Sequence, residues 1–240
     1  RERGGSRPGL SKLLATDLGT NVTAVFTVHY VDSAGAWQEY DSDFLRKAVQ
    51  DREAEFGRVE LHDVTSQYGV FALAGPLARS ILVELIRDPE PATALSNKKF
   101  PWLSAKSIEL GMCPVNAVRV AYTGELGWEL HHPMEMQNYL FDQLETVGEK
   151  YDMRLVGARA QNWLRQEKSY RAFGTELGRD ATPLEAGLDR FVDLSKEFYG
   201  KQEMLKQGVR SKCVTLLIDG PSDADPWGRE ALYLNNRKVG

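Results

Sequence analysis

A chain of 240 residues that is 42% hydrophobic can bury a sizeable core, enough for one large domain or for one domain and part of another. Its 30 Lys and Arg nearly balance 34 Asp and Glu, and the basic residues are scattered, with Lys98-Lys99 and Arg210 to Lys212 as the small clusters, so nucleic-acid binding has no support. Cys113 and Cys213 lie a hundred positions apart with no zinc-ligand spacing and read as two reduced core thiols, and no apolar run is long enough to span a bilayer.

The opening RERGGSRPG, residues 1–9, is polar and rich in Gly and Pro, and reads as a linker or a frayed end rather than a signal peptide. Val22 to Val28 is β-branched and predicts a strand. In YDSDFLRKAVQDREAEF, the residues Phe44, Leu45, Ala48 and Val49 recur at helical spacing behind Ser42 and Asp43, either of which could cap an amphipathic helix. VELHDVT, residues 59–65, predicts another strand. Val70 to Ala74 reads as a buried strand, Gly75 as a turn, Pro76 as a first helical position and Leu77 to Ile86 as an apolar-faced helix. Beyond the polar RDPEPATALSNKK, three or four strands are expected between Ala105 and Pro133.

A helix is then expected over Met134 to Lys150, and another over Gly157 to Lys168 with Ala158, Ala160, Trp163 and Leu164 as its buried positions. After a further helix and turn in GKQEMLKQGVRSK, Cys213 to Ile218 opens a separate β region, which puts a boundary near 205–210. The last residues form a hairpin turning at Asn235-Asn236, and its unfinished sheet reads as a chain truncated there or completed by another chain. Strands mixed with helices, without regular βαβ alternation, predict an α+β fold. No G-x-G-x-x-G or P-loop is present.

The stretch VAYTGELGWELHH, Val120 to His132, carries two glycines and two glutamates where a plain core strand would need neither. Thr123-Gly124-Glu125 and Leu126-Gly127 read as a tight turn between short strands. Across that turn Tyr122 and Glu129 would bring a phenol and a carboxylate to one side of a hairpin. A carboxylate fork accepts two neighbouring N–H donors of a flat heterocycle, such as a guanine-like or pterin edge; an exposed cross-strand carboxylate is the simpler reading. Arg165, with Arg159 on the same helix, could present donors to an anionic tail or a ring carbonyl, or make local ion pairs beside Glu167. His131 and His132 should point to opposite faces of a strand, which opposes joint metal ligation. DATPLEAGLDRFV, Asp180 to Val192, reads as a loop and cap or as a segment laid against a ligand cavity. His29, Asp32, Ser33 and His62 are too scattered for a hydrolase triad, and G-x-S-x-G is absent.

YTGELGWELH, GARAQNWLRQEKSYRAFGTELGRDATPLEAGLDRFV and FYGKQEMLKQG together resemble the folate-binding domain of the glycine-cleavage T-protein-like (aminomethyltransferase) family. Within that family the likeness is nearest to the C-terminal half of dimethylglycine and sarcosine dehydrogenases, and it runs from about Gly57 to Gly240. It implies an α+β T-protein-like domain over residues 10–207, with residues 208–240 beginning a C-terminal β-barrel domain. It also implies that Tyr122, Glu129 and Arg165 contact tetrahydrofolate, Glu129 at the pterin's N–H edge. A flavin domain or subunit outside this chain, holding FAD, would oxidise an N-methyl amine, and the released carbon would give 5,10-methylenetetrahydrofolate here. Such enzymes belong to the mitochondrial matrix or the bacterial cytoplasm.

One departure stands out. The segment LLATDLGTNVTAVFTV is shorter than the family's strand-loop-strand stretch, and Asn21 stands about where a carboxylate near the reactive folate nitrogen is expected. Asp17 precedes the gap and does not replace it, so no catalytic residue is assigned. The same fold also resembles the regulatory subunit of pyruvate dehydrogenase phosphatase, which makes a non-catalytic scaffold the second reading and a stand-alone aminomethyltransferase the third.

Overall fold

The computed structural model describes residues 12–16, 25–29, 38–51, 53–56, 59–178, 180–220, 228 and 230–240. The expectations for residues 1–9, Asp17 and Asn21 lie outside the described residues. Two compact units are formed, one up to Tyr170 and one from Arg171 onward.

In the first unit, β1 (Lys12–Thr16) and β2 (Val25–His29) pair antiparallel, with Lys12 opposite His29. Helix α1 (Gln38–Gln50) begins four residues before the expected cap at Ser42, and none of its residues is buried; Phe44 is 52% exposed. A short α2 (Glu53–Phe56) follows. The strand expected at 59–65 does not form. Asp63 accepts a hydrogen bond from the Thr65 backbone N–H at 2.9 Å and turns the chain into a 3-10 turn at Thr65–Gln67. That local side-chain bond competes with any ladder the β-branched residues would favour.

Next come β3 (Tyr68–Ala74), α3 (Ala78–Leu85), α4 (Pro91–Ala94), β4 (Ala105–Leu110), β5 (Cys113–Val118), β6 (Gly127–Pro133), α5 (Gln137–Gly148) and α6 (Ala158–Glu167). Helix α3 starts two residues after Pro76. The four strands make one antiparallel sheet in the order β3-β6-β5-β4, so the first strand closes against the last. Alternation assigns the faces. Leu73, Leu110, Cys113, Val115, Ala117, Trp128 and Leu130 join the α3 residues Ile81, Leu82 and Leu85 and the α5 residues Leu140 and Leu144 in one core. Each buried Leu, Ile or Val among them contributes roughly 1.5–3 kcal/mol by leaving water. The opposite face is polar along one row, where Ser107 pairs with Asn116 and Asn116 with His131, and Ser107 donates its hydroxyl to Asn116 Oδ1 at 2.7 Å.

Helix α6 departs from its expected burial. Ala158, Ala160 and Trp163 are exposed and Leu164 is half-buried, whereas Arg165 is 2% exposed. Apolar spacing ranks side chains by hydrophobicity and cannot see that a polar tip is satisfied by its own helix end.

In the second unit, Thr182, Pro183 and Glu185 build one helical turn with reciprocal capping. The Thr182 N–H donates to Glu185 Oε2 at 2.8 Å and the Glu185 N–H to Thr182 Oγ1 at 3.2 Å. Replacing Thr182 with valine should cost about 1 kcal/mol, read as the shift in urea midpoint. Helix α7 (Lys201–Gln207) follows, and β7 (Tyr233–Leu234) and β8 (Arg237–Lys238) form the terminal hairpin. Asn235 and Asn236 hold φ of 50° and 61°, the two left-handed positions of a tight hairpin turn. Cys213 to Ile218, expected as a strand, is irregular, and Leu217 is 99% exposed. A strand exists only where a neighbour completes its ladder, and no strand pairs with this run among the described residues.

Candidate functional site

The eight residues from Arg119 to Leu126 join β5 to β6, so Tyr122 sits in a loop and not on a strand of a tight hairpin. The glycines of this motif answer to packing. Gly124 holds φ of 74°, a left-handed turn, and a Cβ there would run into the Lys168 side chain. Gly127 opens β6 opposite Ala74, and a Cβ there would lie 2.7 Å from the Leu73 carbonyl oxygen and 2.8 Å from the Ala121 Cβ. The loop is tied to the end of α6: Glu125 pairs with Lys168 at 3.5 Å, and the Tyr122 ring stands 6.3 Å from the Tyr170 ring.

Tyr170 is itself positioned by Arg165. The Tyr170 N–H donates to the Arg165 carbonyl at 2.9 Å, and Arg165 Nη1 donates to the Tyr170 carbonyl at 2.8 Å. Arg165 Nε donates to Asn162 Oδ1, also at 2.8 Å. One guanidinium donor thus ties residue 170 back to the helix end and a second is satisfied within the helix, as a buried cation needs. Tyr122 and Arg165 therefore belong to one neighbourhood, joined through Tyr170.

Glu129 is placed differently. It lies on β6 at the base of the loop, opposite Val118 of β5 and Ala72 of β3. Its side chain is 34% exposed, and its polar neighbour among the described residues is His131, whose Nε2 is 3.7 Å away. That is beyond hydrogen-bond length, so both carboxylate oxygens keep lone pairs to offer. His131 shares its face, and His132 lies on the other, stacked on Phe71 at 4.6 Å with Nδ1 2.9 Å from the Leu130 carbonyl. No cluster of His, Cys, Asp and Glu fit to hold a metal occurs among the described residues.

An open cavity of about 540 Å³ lies on the polar sheet face, lined among others by Tyr68, Ser107, Glu109, Asn116 and His131. Tyr122, Glu129 and Arg165 are not in its lining, and it meets the candidate residues only through His131 beside Glu129. Sequence reasoning missed Asn162, Lys168 and Tyr170 as the loop's supports. The EKSY run after the helix was the available signal, since a charged and an aromatic residue at a helix end commonly brace the adjoining chain.

The family described as GCVT N-terminal domain matches residues 21–196. The chain is 40% identical over 189 residues to the mitochondrial dimethylglycine dehydrogenase of Homo sapiens, covering 76% of this chain and 21% of that protein. It is 34% identical over 191 residues to the mitochondrial pyruvate dehydrogenase phosphatase regulatory subunit of Mus musculus, covering 75% and 21%. To an aminomethyltransferase of Caldanaerobacter subterraneus subsp. tengcongensis it is 34% identical over 188 residues, covering 76% and 48%. The chain thus spans about a fifth of the length of the first two relatives and about half of the third.

Proposed function

The chain belongs to the GCVT N-terminal domain family, and from that premise we propose that it is the tetrahydrofolate-binding, one-carbon-transfer part of an oxidoreductase that demethylates an N-methyl amine of the dimethylglycine or sarcosine type. The observation that carries this reading is Glu129, a half-buried carboxylate fixed between two paired strands with both oxygens available. A pterin edge presents neighbouring N–H donors, and a carboxylate accepts two of them at once. Tyr122, braced by Tyr170, adds an aromatic flank, and Arg165 fixes Tyr170 from behind. A carboxylate acceptor and an aromatic flank are what a flat heterocycle with paired donors would use.

When bound, tetrahydrofolate supplies the amine nitrogens that take up the one-carbon unit as 5,10-methylenetetrahydrofolate. Glu129 would orient it, held on β6 between β3 and β5, so that the chain's contribution would be positioning. The oxidation belongs to an FAD-containing domain or subunit outside this chain. We keep residues 10–207 as the T-protein-like domain and 208–240 as the beginning of a C-terminal β domain. The location proposed is the mitochondrial matrix or the bacterial cytoplasm; no described helix is long and apolar enough to cross a membrane. A regulatory, non-catalytic role is the second reading, favoured by the regulatory-subunit relative at 34% identity.

Calorimetric titration of the complete protein, with any partner subunit present, tests the proposal. Glu129→Ala should weaken tetrahydrofolate binding roughly 10- to 100-fold, the effect of losing hydrogen bonds to a charged group. Glu125→Ala, whose carboxylate faces Lys168 in an exposed pair, should weaken it by less than about threefold. Equal losses from both would remove Glu129 from the pterin edge. Absence of binding by the folded, complete protein would favour the regulatory reading.

A further inference from the structure

We propose that Arg79 and Arg119 form an oxyanion-binding site at the start of helix α3, a site for a phosphate group or a carboxylate of a small ligand, independent of the folate reading. Arg79 is the second residue of α3, and Arg119 follows the end of β5. Both guanidiniums donate to one neutral acceptor, Asn97 Oδ1, Arg79 through Nη2 at 2.6 Å and Arg119 through Nη2 at 2.8 Å. The two donating nitrogens are therefore closer than two hydrogen-bond lengths. Each guanidinium carbon is also 5.8 Å from the centre of the Trp128 ring.

Two positive charges held this close repel unless an anion sits with them. None does among the described residues. Among the described residues neither Arg79 nor Arg119 makes an ion pair. Burial first, and the Arg79 charge second, hold the Arg119 guanidinium below its ordinary pKa.

The rest of the surroundings is equally one-sided. Helix α3 has no side-chain cap and no acidic residue in its first turn, so nothing there offsets the positive end of its dipole. Arg79 Nε and Trp128 Nε1 are buried donors without a hydrogen-bond partner, and Trp128 is fully buried. One Asn oxygen and the Phe100 carbonyl, which accepts from Arg119 Nη1 at 2.5 Å, are the acceptors the two guanidiniums have. The bonds to Asn97 lie in an exposed setting, which leaves the guanidiniums open to solvent on that side. Paired arginines with planar forks match the oxygens of a phosphate or a carboxylate.

Asn97 provides the test. Asn97→Asp is nearly isosteric and would place a permanent carboxylate between the two guanidiniums. In the complete protein, in sodium chloride, Asn97→Asp should melt several degrees higher than the native protein. Calorimetric titration at matched ionic strength with inorganic phosphate, and separately with malonate, should give saturable binding to the native protein. That binding should weaken at least tenfold in Asn97→Asp and in Arg79→Gln. Response to phosphate alone identifies a phosphate ligand, and response to malonate alone a carboxylate ligand. The proposal is overturned if neither anion binds beyond the chloride background, if Arg79→Gln binds as the native protein does, or if Asn97→Asp lowers the melting temperature. Should Arg79→Gln fail to fold, Asn97→Asp and the native titrations decide alone.

Discussion

Gly127→Ala is expected to destabilise the protein by about 3 kcal/mol, the upper part of the range for forcing atoms into a packed interior. The added methyl group would press on backbone: the Leu73 carbonyl oxygen at 2.7 Å and the Ala74 Cα at 3.1 Å, with the Ala121 Cβ at 2.8 Å. Backbone in a paired sheet has little room to yield. Relief would come from opening the pair Ala74 and Gly127 at the end of the β3–β6 ladder and displacing the loop that carries Tyr122. The fall in urea midpoint measures the effect, and Gly178→Ala is the control. A Cβ at Gly178 meets nothing within 4 Å, so that variant should stay within about 0.5 kcal/mol of the native protein. A neutral Gly127→Ala would mean that the strands do not approach this closely.

The second large effect concerns Glu185, a buried carboxylate that organises the unit beginning at Arg171. Its Oε1 accepts from the Arg210 backbone N–H and from Arg210 Nε, both at 3.0 Å, and its Oε2 accepts from the Thr182 N–H at 2.8 Å. Glu185→Ala would leave those donors without their acceptor and should lower stability more than any exposed ion pair, such as Lys150 with Glu84, does when broken. The pH dependence follows. The Arg210 side chain first, and then the Thr182 and Arg210 backbone donors, bring the carboxyl down from 4.5 to about 2. A depressed carboxyl stabilises fully above its unfolded value and loses that contribution as pH falls. The gap between the native protein and Glu185→Gln should therefore be complete above about pH 4.5 and close toward pH 2. Urea midpoints followed by circular dichroism across that range read it directly. A gap that stayed constant with pH would show that Glu185 acts through shape and not charge.

Local signals were legible where one segment settles its own structure. The long apolar spacing of α5 and the paired asparagines at 235–236 needed no distant partner, and both elements formed as read. The α+β character was legible because strands and helices mix without regular βαβ alternation, and β5 shows the alternating burial of a half-buried strand. What failed needed information from elsewhere in the chain. Residues 59–65 have strand composition, but the Asp63 side chain captures the Thr65 N–H first. Residues 213–218 have strand composition and no pairing neighbour among the described residues. Arg165 was not among the positions that helical spacing marks as buried, because spacing cannot anticipate the Tyr170 carbonyl that accepts from it. The candidate site divides along the same line: the YTGELGWEL motif marked Tyr122 and Glu129, while Tyr170, which ties Tyr122 to α6, became visible only in three dimensions.

The sheet order β3-β6-β5-β4 bears on how the chain reaches its native state. Strands β4 and β5 are joined by a two-residue turn and can zip early, and β6 can add across the eight-residue loop. Strand β3 has to wait, since β6 lies more than fifty residues downstream of it and α3, α4 and the β4–β5 hairpin intervene. Closing so long a loop is an entropic barrier that only the final pairing repays. Until then β6 offers a bare edge to the solvent, the kind of edge that recruits strands from other molecules. Aggregation during refolding should accordingly track the lifetime of that open-edged intermediate, and substitutions that delay the docking of β3 should lower refolding yield out of proportion to their effect on equilibrium stability.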